Sequence, residues 1–332
     1  MYSACTMAGR NISVVIPSFN GEALLREHLP ALQEELQAWP GSELVVADDA
    51  STDTSCEFLA GEHPGARVIA SAERSGFAEN CNRGVRAARH DLVLCLNTDV
   101  AITPGFLRPL VQAMDDPGVF AASPAILLSA RAGTDDANES LHRSFVKGGL
   151  LHHLRLRGVP AEGPPVPISY ACGAAVLLRR PVFLDLGGFD TMYAPFYWED
   201  VDLSYRAWKR GWRIHYVPGS AVHHRHRATI GRFHGERDVE AIYARNQYLF
   251  AWKNFTDAAL TLAHFVHLAG RLVASAVPGR HEALEAVRLA KPLFGEAWRK
   301  RARERRERVQ SDRAVLRTFR QIGRPGSPPV RR

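Results

Sequence analysis

Over the first 120 residues of this chain, short apolar runs alternate with longer amphipathic stretches. ISVVIP (12–17), ELVVAD (43–48), ARVIAS (66–71) and DLVLCLN (91–97) are apolar runs of strand length. Between the first two, Leu25, Leu29, Leu32 and Leu36 recur at helical spacing. Ser51, Thr52 and Asp53 offer N-caps to a helix reaching about Ala60. GFAENCNRGVRAARH (76–90) predicts a third helix, and TPGFLRPLVQAM (103–114) a fourth, opened by a proline. Strands alternating with helices predict parallel βαβ units. Continuously apolar strands fit a sheet covered on both faces.

Ligands of such sheets bind beyond the carboxyl ends of the strands. Ser18 and Asn20, Asp48 and Asp49, and Asn97 and Asp99 all fall at such ends and should share one rim. An acid or amide after a strand ordinarily forms a turn or caps a helix. Three such clusters on one rim ask for a ligand. No G-x-G-x-x-G follows the first strand, and no G-x-x-x-x-G-K-[ST] occurs, which argues against a dinucleotide or P-loop site. Carboxylates in place of a glycine cradle predict a divalent cation, Mg2+ or Mn2+, set against phosphates.

The second half holds FYWEDVDLSYRAWKRG (196–211), with Glu199, Asp200 and Asp202 beside Tyr197 and Trp198 and a helix from Leu203 to Lys209. A strand, RIHYVP (213–218), leads to a His-rich turn with His223, His224 and His226. Acids next to aromatics supply what a general base near a sugar needs, a tuned pKa and a flat apolar face. The same acids would also suit the positive end of a helix. Residues 129–169 are rich in Gly, Pro and Asp and read as a long loop, a lid or a plain surface excursion.

Composition narrows the class. The chain has 332 residues with 46% apolar and 23% charged, as in ordinary globular proteins. Its net charge is +7, and residues 299–313 hold eight basic residues against three acidic. Such a patch suits nucleic acid, anionic lipid or phosphorylated substrates. No nucleic-acid-binding motif accompanies it, so no nucleic-acid partner is expected. Five cysteines without a C-x-x-C pair point to a reducing compartment. The N-terminus lacks the apolar core of a signal peptide, and the apolar stretch 258–270 is short for a bilayer span. A cytoplasmic protein is expected. Residues 256–320 read as helices. Thr261, His264, Arg271 and Ser275 form a polar stripe on one, and Leu284, Val287, Phe294 and Trp298 a second apolar face. These helices either pack on the domain or dock on an anionic membrane surface, which would make the protein peripheral on the inner face of the membrane. The tail, 321–332, should be disordered.

Seven segments carry a resemblance, in order: VVIPSFN (14–20), VVADDASTD (45–53), GFAENCNRG (76–84), LNTD (96–99), GAAVLLRRPVFLDLGGFD (173–190), WEDVDLSYR (198–206) and YVPGSAVHHRH (216–226). With these the chain resembles the inverting glycosyltransferases of family 2, especially the bacterial branch that includes rhamnosyltransferases. The resemblance implies a GT-A fold over residues 11–255: an α/β architecture with a mostly parallel central sheet, helices on both faces and a C-terminal helical extension, after a tail at 1–10. It implies transfer of a sugar from a nucleotide-diphosphate donor, dTDP-rhamnose or a UDP-hexose, to a glycan or lipid-linked acceptor in cell-surface polysaccharide synthesis. By the same resemblance Pro17, Ser18 and Asn20 lie against the donor nucleotide. Asp48 contacts the base, with Asp49 beside it, and Gly76 and Asn82 lie near the nucleotide. LNTD stands where the family has a D-x-D metal motif. Asn97 replaces the first acid, so Asp99 is the main carboxylate ligand. His224 looks like the second metal ligand, with His223 and His226 as competitors. Asp200 is the implied base, Glu199 its alternative, and Gly173, Trp198 and Glu199 fall on the acceptor side. Metal-dependent nucleotidyl transfer is the alternative on the same fold, and a basic nucleic-acid-binding protein the alternative of a different class.

Overall fold

The computed structural model describes residues 10–128, 138–157, 159, 161–225, 235–275 and 281–323. His226, the tail from 324 and the whole Asp-rich stretch 129–137 lie outside the described residues. Strands β1 (Ile12–Ser18), β2 (Glu43–Asp48), β3 (Ala66–Ala70) and β4 (Leu92–Leu96) alternate with helices α1 (Glu22–Gln37), α2 (Ser55–Glu62) and α3 (Phe77–Ala87). They pair in parallel in the order β3-β2-β1-β4. Then follow β5 (Val100–Ile102), α4 (Leu107–Ala113) and β6 (Val119–Leu128). After a hairpin and the short β9 (Val166–Pro167) comes β10 (Ala175–Arg179), antiparallel between β4 and β6. Helices α5 (Arg180–Asp185) and α6 (Glu199–Lys209) precede β11 (Arg213–His224), which runs parallel to β6.

The expected two-faced sheet is present, because the strand side chains alternate between two cores. Val15, Val45 and Val93 face α3, whose Ala78, Cys81 and Val85 are buried against them. Val14, Val46 and Leu94 face the other way, against Leu25 and Leu29 of α1 and Leu107 and Leu110 of α4. Burying each such aliphatic side chain contributes about 1.5–3 kcal/mol. Gly84 lets α3 approach: a Cβ there would overlap a methyl of Val15.

Four local expectations change. Helix α2 starts at Ser55, and Asp53 instead accepts from the N–H groups of Ser55 and Glu22, linking α2 to α1. The loop expected over 129–169 contains a hairpin, β7 (His142–Lys147) and β8 (Leu150–Arg155). Gly148 and Gly149, with φ of 55° and 75°, make its two-residue turn. Helix α6 begins at Glu199 rather than Leu203, which puts the acids in its first turn. Strand β11 runs six residues beyond 218, so His223 and His224 lie in a strand, paired with Ala101 and Val100. Alternation then exposes His223 and buries His224.

The remaining helices are α7 (Glu236–Asn254), α8 (Ala258–Ala274), α9 (Glu282–Ala290), α10 (Phe294–Glu307) and α11 (Asp312–Gln321). The polar stripe of α8 faces inward. His264 sits between the Gly149 carbonyl, 2.7 Å from Nδ1, and the Trp252 indole N–H, which donates to Nε2 at 3.1 Å. Thr261 bonds back to Phe255 and Asp257. Outward-facing positions carry Leu262, Val266 and Val273, exposed by 67%, 61% and 76%. Much of the basic segment is structural as well: Arg301 bonds Thr261, Arg303 pairs with Glu307 and Arg308 with Asp257. Among the described residues no helix is long and apolar enough to cross a membrane.

Candidate active site

A cavity of about 710 Å³ opens where β1 and β4 end, and its far wall is the start of α6. The strand-end rim is a set of interlocked loops. Asp49 accepts from Ser75 N–H at 2.8 Å, Ser75 hydroxyl at 2.6 Å and Gly76 N–H at 2.8 Å. Asn80 donates to the Ala47 carbonyl at 2.8 Å. Pro17, Ser18, Asp49, Gly76, Asn80, Asn97 and Asp99 all line the cavity, and Arg74 stacks its guanidinium 3.9 Å from the Phe19 ring centroid at the same edge. Ser18 Oγ and Asn97 Oδ1 are buried without a hydrogen-bond partner among the described residues.

Three residues expected at the nucleotide are placed elsewhere. Asp48 turns into its own loop, accepting from Ser51 N–H at 2.9 Å and Ser51 hydroxyl at 2.5 Å, and does not line the cavity. Its neighbour Asp49 does. Asn20, at φ 48°, accepts from the N–H groups of Thr52 and Asp53 and so ties the first loop to the second. Asn82 is buried and exchanges two hydrogen bonds with the Phe189 backbone, both 2.8 Å. It faces away from the cavity that Asn80 reaches, as two helical positions apart require.

At the floor, His224 stands between two carboxylates. Its Nε2 lies 3.4 Å from Asp99 Oδ1 and its Nδ1 3.2 Å from Glu139 Oε2. Burial opposes the imidazolium, but the hydrogen bonds to Asp99 and Glu139 outweigh it and raise the His224 pKa to about 9. Asp99 and His224 fit a hard or borderline divalent ion, and the unpartnered Asn97 oxygen adds a third donor of suitable type. Among the described residues no three His, Cys, Asp or Glu side chains form one metal-holding group.

The opposite wall is aromatic and strained. Tyr197 and Trp198 both adopt left-handed backbone, φ 69° and 79°, costly for bulky residues. The buried Asn246 of α7 holds this loop: its amide donates to the carbonyls of Tyr193 at 2.8 Å, Phe196 at 3.0 Å and Tyr197 at 2.9 Å. Trp198 packs on Phe250, Tyr243 and His153, with ring centroids 5.2, 5.5 and 5.4 Å apart. Tyr170 stacks on His142 at 5.0 Å. Burial lowers His142 to about 4 and His153 to about 3, so both rings are neutral at physiological pH.

The acid pair stands in the same wall. Asp200 accepts from Gly173 N–H at 3.1 Å and Val201 N–H at 2.7 Å. Burial nevertheless raises its pKa, against those bonds. Glu199 is pushed to about 8, by burial first and by the adjacent Asp200 second. Both line the cavity, as do Gly173 and Trp198. Asp202 does not share their surroundings. It is fully buried, 2.7 Å from Arg206 Nε and 2.8 Å from Lys253 Nζ, and accepts from Tyr193 hydroxyl. Helix α6 itself is anchored on the far side. Lys209, with no exposed surface, lies 3.1 Å from the equally buried Asp312 of α11, and Arg210 pairs with Glu304 of α10.

Sequence reasoning passed over Glu139, His142, His153, Tyr170 and Tyr243. A Gly-Gly pair between two runs of strand length marks the hairpin that carries the two histidines. No local signal marks the others, because the topology brings them in from separate segments.

Residues 13–187 match the model of Glycosyl transferase family 2. A pre-mycofactocin glycosyltransferase of Mycobacterium tuberculosis is 31% identical over 227 residues, 67% of this chain and 44% of that protein. An N-acetylglucosaminyl-diphospho-decaprenol L-rhamnosyltransferase of the same organism is 27% identical over 212 residues, 57% of this chain and 68% of its own. The chain thus spans under half the length of the first of these relatives. GalNAc-T7, crystallised with UDP, GalNAc and Mn2+, superposes with a TM-score of 0.62 at 19% identity, over 86% of this chain and 56% of that one, a likeness of fold. The family match covers more than half of the residues, takes in the whole strand-end rim and extends past Gly173, and on it the chain belongs to glycosyltransferase family 2.

Proposed function

We propose that the protein transfers a sugar from a nucleotide-diphosphate donor to an acceptor hydroxyl, with inversion at the anomeric carbon. The observation that carries the reading is one cavity with two unlike walls: a polar rim of strand ends facing an aromatic wall that holds a carboxylate of raised pKa. The donor nucleotide lies along the rim, with Asp49, Gly76 and Asn80 nearest its base and ribose. Asp99 and His224, with Asn97, hold a divalent cation. When bound, such an ion neutralises the diphosphate and stabilises it as a leaving group. The acceptor sugar rests its apolar face on Tyr243 and Tyr170, with the buried Trp198 and the two neutral histidines behind. Asp200 takes the proton from the attacking hydroxyl, and its two backbone N–H donors aim it. That oxygen bonds to the anomeric carbon as the carbon–phosphate oxygen bond breaks on the opposite face. Burial and the adjacent Asp200 raise the Glu199 pKa, and Glu199 is the more buried of the two acids, so the base role goes to its more accessible neighbour.

The donor is dTDP-rhamnose or a UDP-hexose. A relative named for rhamnosyl transfer and a structural neighbour crystallised with UDP support this choice. The test is a screen of nucleotide sugars for hydrolysis and transfer, with and without Mn2+, reading the anomeric configuration of the product by NMR. Retained configuration removes the single-displacement mechanism. Absence of turnover with every nucleotide sugar removes the activity.

The outward apolar face of α8 favours a second property, docking on an anionic membrane where a lipid-linked acceptor would reside. Leu262→Ser combined with Val266→Ser should release the protein from phosphatidylglycerol vesicles in flotation assays while donor hydrolysis continues. Unchanged flotation removes the docking.

A further inference from the structure

The imidazole of His224 is held along both of its edges. Asp99 meets Nε2 and Glu139 meets Nδ1. These nitrogens lie on opposite edges of the ring, so a carboxylate at Nδ1 cannot share an ion with Nε2. Both carboxylates can only accept, so without a cation both ring nitrogens donate; a cation beside Asp99 would take the Nε2 lone pair in place of that proton, while Nδ1 goes on donating to Glu139.

Glu139 is not a loose loop residue. Its own N–H donates to the Ile126 carbonyl of β6 at 2.8 Å. On one side Asn138 bridges Leu127 and donates to the Tyr216 hydroxyl at 3.3 Å. On the other, Ser140 hydroxyl donates to the Pro124 carbonyl at 2.5 Å and its N–H to Asn138 Oδ1 at 2.9 Å. The backbone that carries this carboxylate is thus fixed against β6 and β11, the strand that carries His224.

We infer that Glu139 is the positioning residue of the cation site: it fixes the tautomer and the ring plane of His224 so that Nε2 meets the ion beside Asp99. Partners of this kind behind a ligating histidine typically change metal affinity about 10- to 100-fold when removed. The inference rests on the cation site proposed above, and its test separates the two.

Mn2+ binding is measured by water-proton relaxation enhancement, with and without UDP, on the full chain. The proteins are wild type, Glu139→Met, Glu139→Gln, His224→Ala and the Glu139→Met, His224→Ala double variant. Thermal unfolding in EDTA is recorded for each. Glu139→Met, similar in size but without a strong acceptor, should weaken Mn2+ about 10-fold or more. Glu139→Gln still accepts from Nδ1 and should recover most of that loss, with unfolding in EDTA unmoved. In the His224→Ala background the Met substitution should add nothing. Wild-type affinity in Glu139→Met alongside weakened His224→Ala overturns the inference and leaves the cation site standing. Additive losses in the double variant also overturn it, since Glu139 would then act other than through His224. Wild-type affinity in His224→Ala removes the cation site itself, and the inference with it.

Discussion

The two walls of the cavity are held in different ways. On the strand-end rim, each anchor joins one loop to the next: Asn20 to Thr52, Asp48 to Ser51, Asp49 to Gly76. On the aromatic wall, the acids stand on α6, and buried ion pairs fix the far side of that helix: Asp202 with Arg206 and Lys253, Lys209 with Asp312. A single hydrogen bond contributes about 1 kcal/mol net when neutral and about 1.5–3 kcal/mol when it ends on a carboxylate, as those of Asp48 and Asp49 do. Removing one partner of a buried ion pair costs about 3–5 kcal/mol, because a charge is left without compensation. Keeping two acids at raised pKa in an apolar wall opposes their hydration, and the bracing lies directly behind them. The rim proposed to receive the donor is held instead by hydrogen bonds between its own loops.

The largest effect should come from the brace. Asp312→Ala strands Lys209 and should lower the unfolding free energy by about 3–5 kcal/mol in urea titrations. Ser51→Ala on the rim removes one hydroxyl bond to Asp48 and should cost less, about 1.5–3 kcal/mol. Equal losses would erase the distinction between the walls. It also follows that deleting residues 291–332 is no test of membrane docking, since it removes Asp312 and Glu304 from α6.

Next comes the chemistry of the braced wall. Asp200→Asn should reduce transfer by roughly 10²-fold or more, in the range of general-base effects. Affinity for nucleoside diphosphate, read by calorimetry, should hold. Weakened binding with unimpaired turnover would move Asp200 to the donor side.

The acid pair also sets a pH dependence of stability. Glu199 titrates near 4.5 when unfolded and about 8 when folded. The folded state therefore holds a proton that the unfolded state releases. This contribution is fully present below pH 4.5 and is lost as pH rises to 8. Over that window this group should make stability fall by on the order of 1 kcal/mol per pH unit. Glu199→Gln should flatten the decline, measured as Tm against pH. A parallel decline in the variant assigns the slope to other groups.

The smallest effect should be at the ring face. Tyr243→Ala should raise the acceptor KM about three- to tenfold, as expected for loss of one aromatic contact, with donor hydrolysis unchanged. A higher donor KM instead would place this tyrosine on the wrong wall.

The same contrast explains what the sequence revealed. Strand ends can be read locally, so the rim was legible in outline from its apolar runs and the polar residues that end them. Which of two adjacent acids enters the cavity was not, because Asp48 and Asp49 differ by half a turn that Ser51 and Ser75 decide through hydrogen bonds. Asn80 and Asn82 present the same ambiguity on α3, settled by the Phe189 backbone 107 residues away. The WEDVDL acids were legible as a group. Their division into a cavity pair and a core anchor depends on Lys253 and Asn254, contributed by α7. The basic segment looked like a surface because its acidic partners, Asp257 and Asp190 among them, lie far away in sequence.

Asn246 adds a consequence for chemical ageing. Its single amide group serves three carbonyl oxygens and so fixes the turn that carries Tyr197 and Trp198. Deamidation would exchange that nitrogen for an oxygen and turn a donor into an acceptor facing three acceptors. Attraction would become repulsion for a mass change of about one dalton, with the side-chain shape kept. The left-handed turn would then lose its tether at the point where it is most strained. Burial protects this amide from solvent, and the shelf life of the aromatic wall therefore depends on how seldom α7 opens.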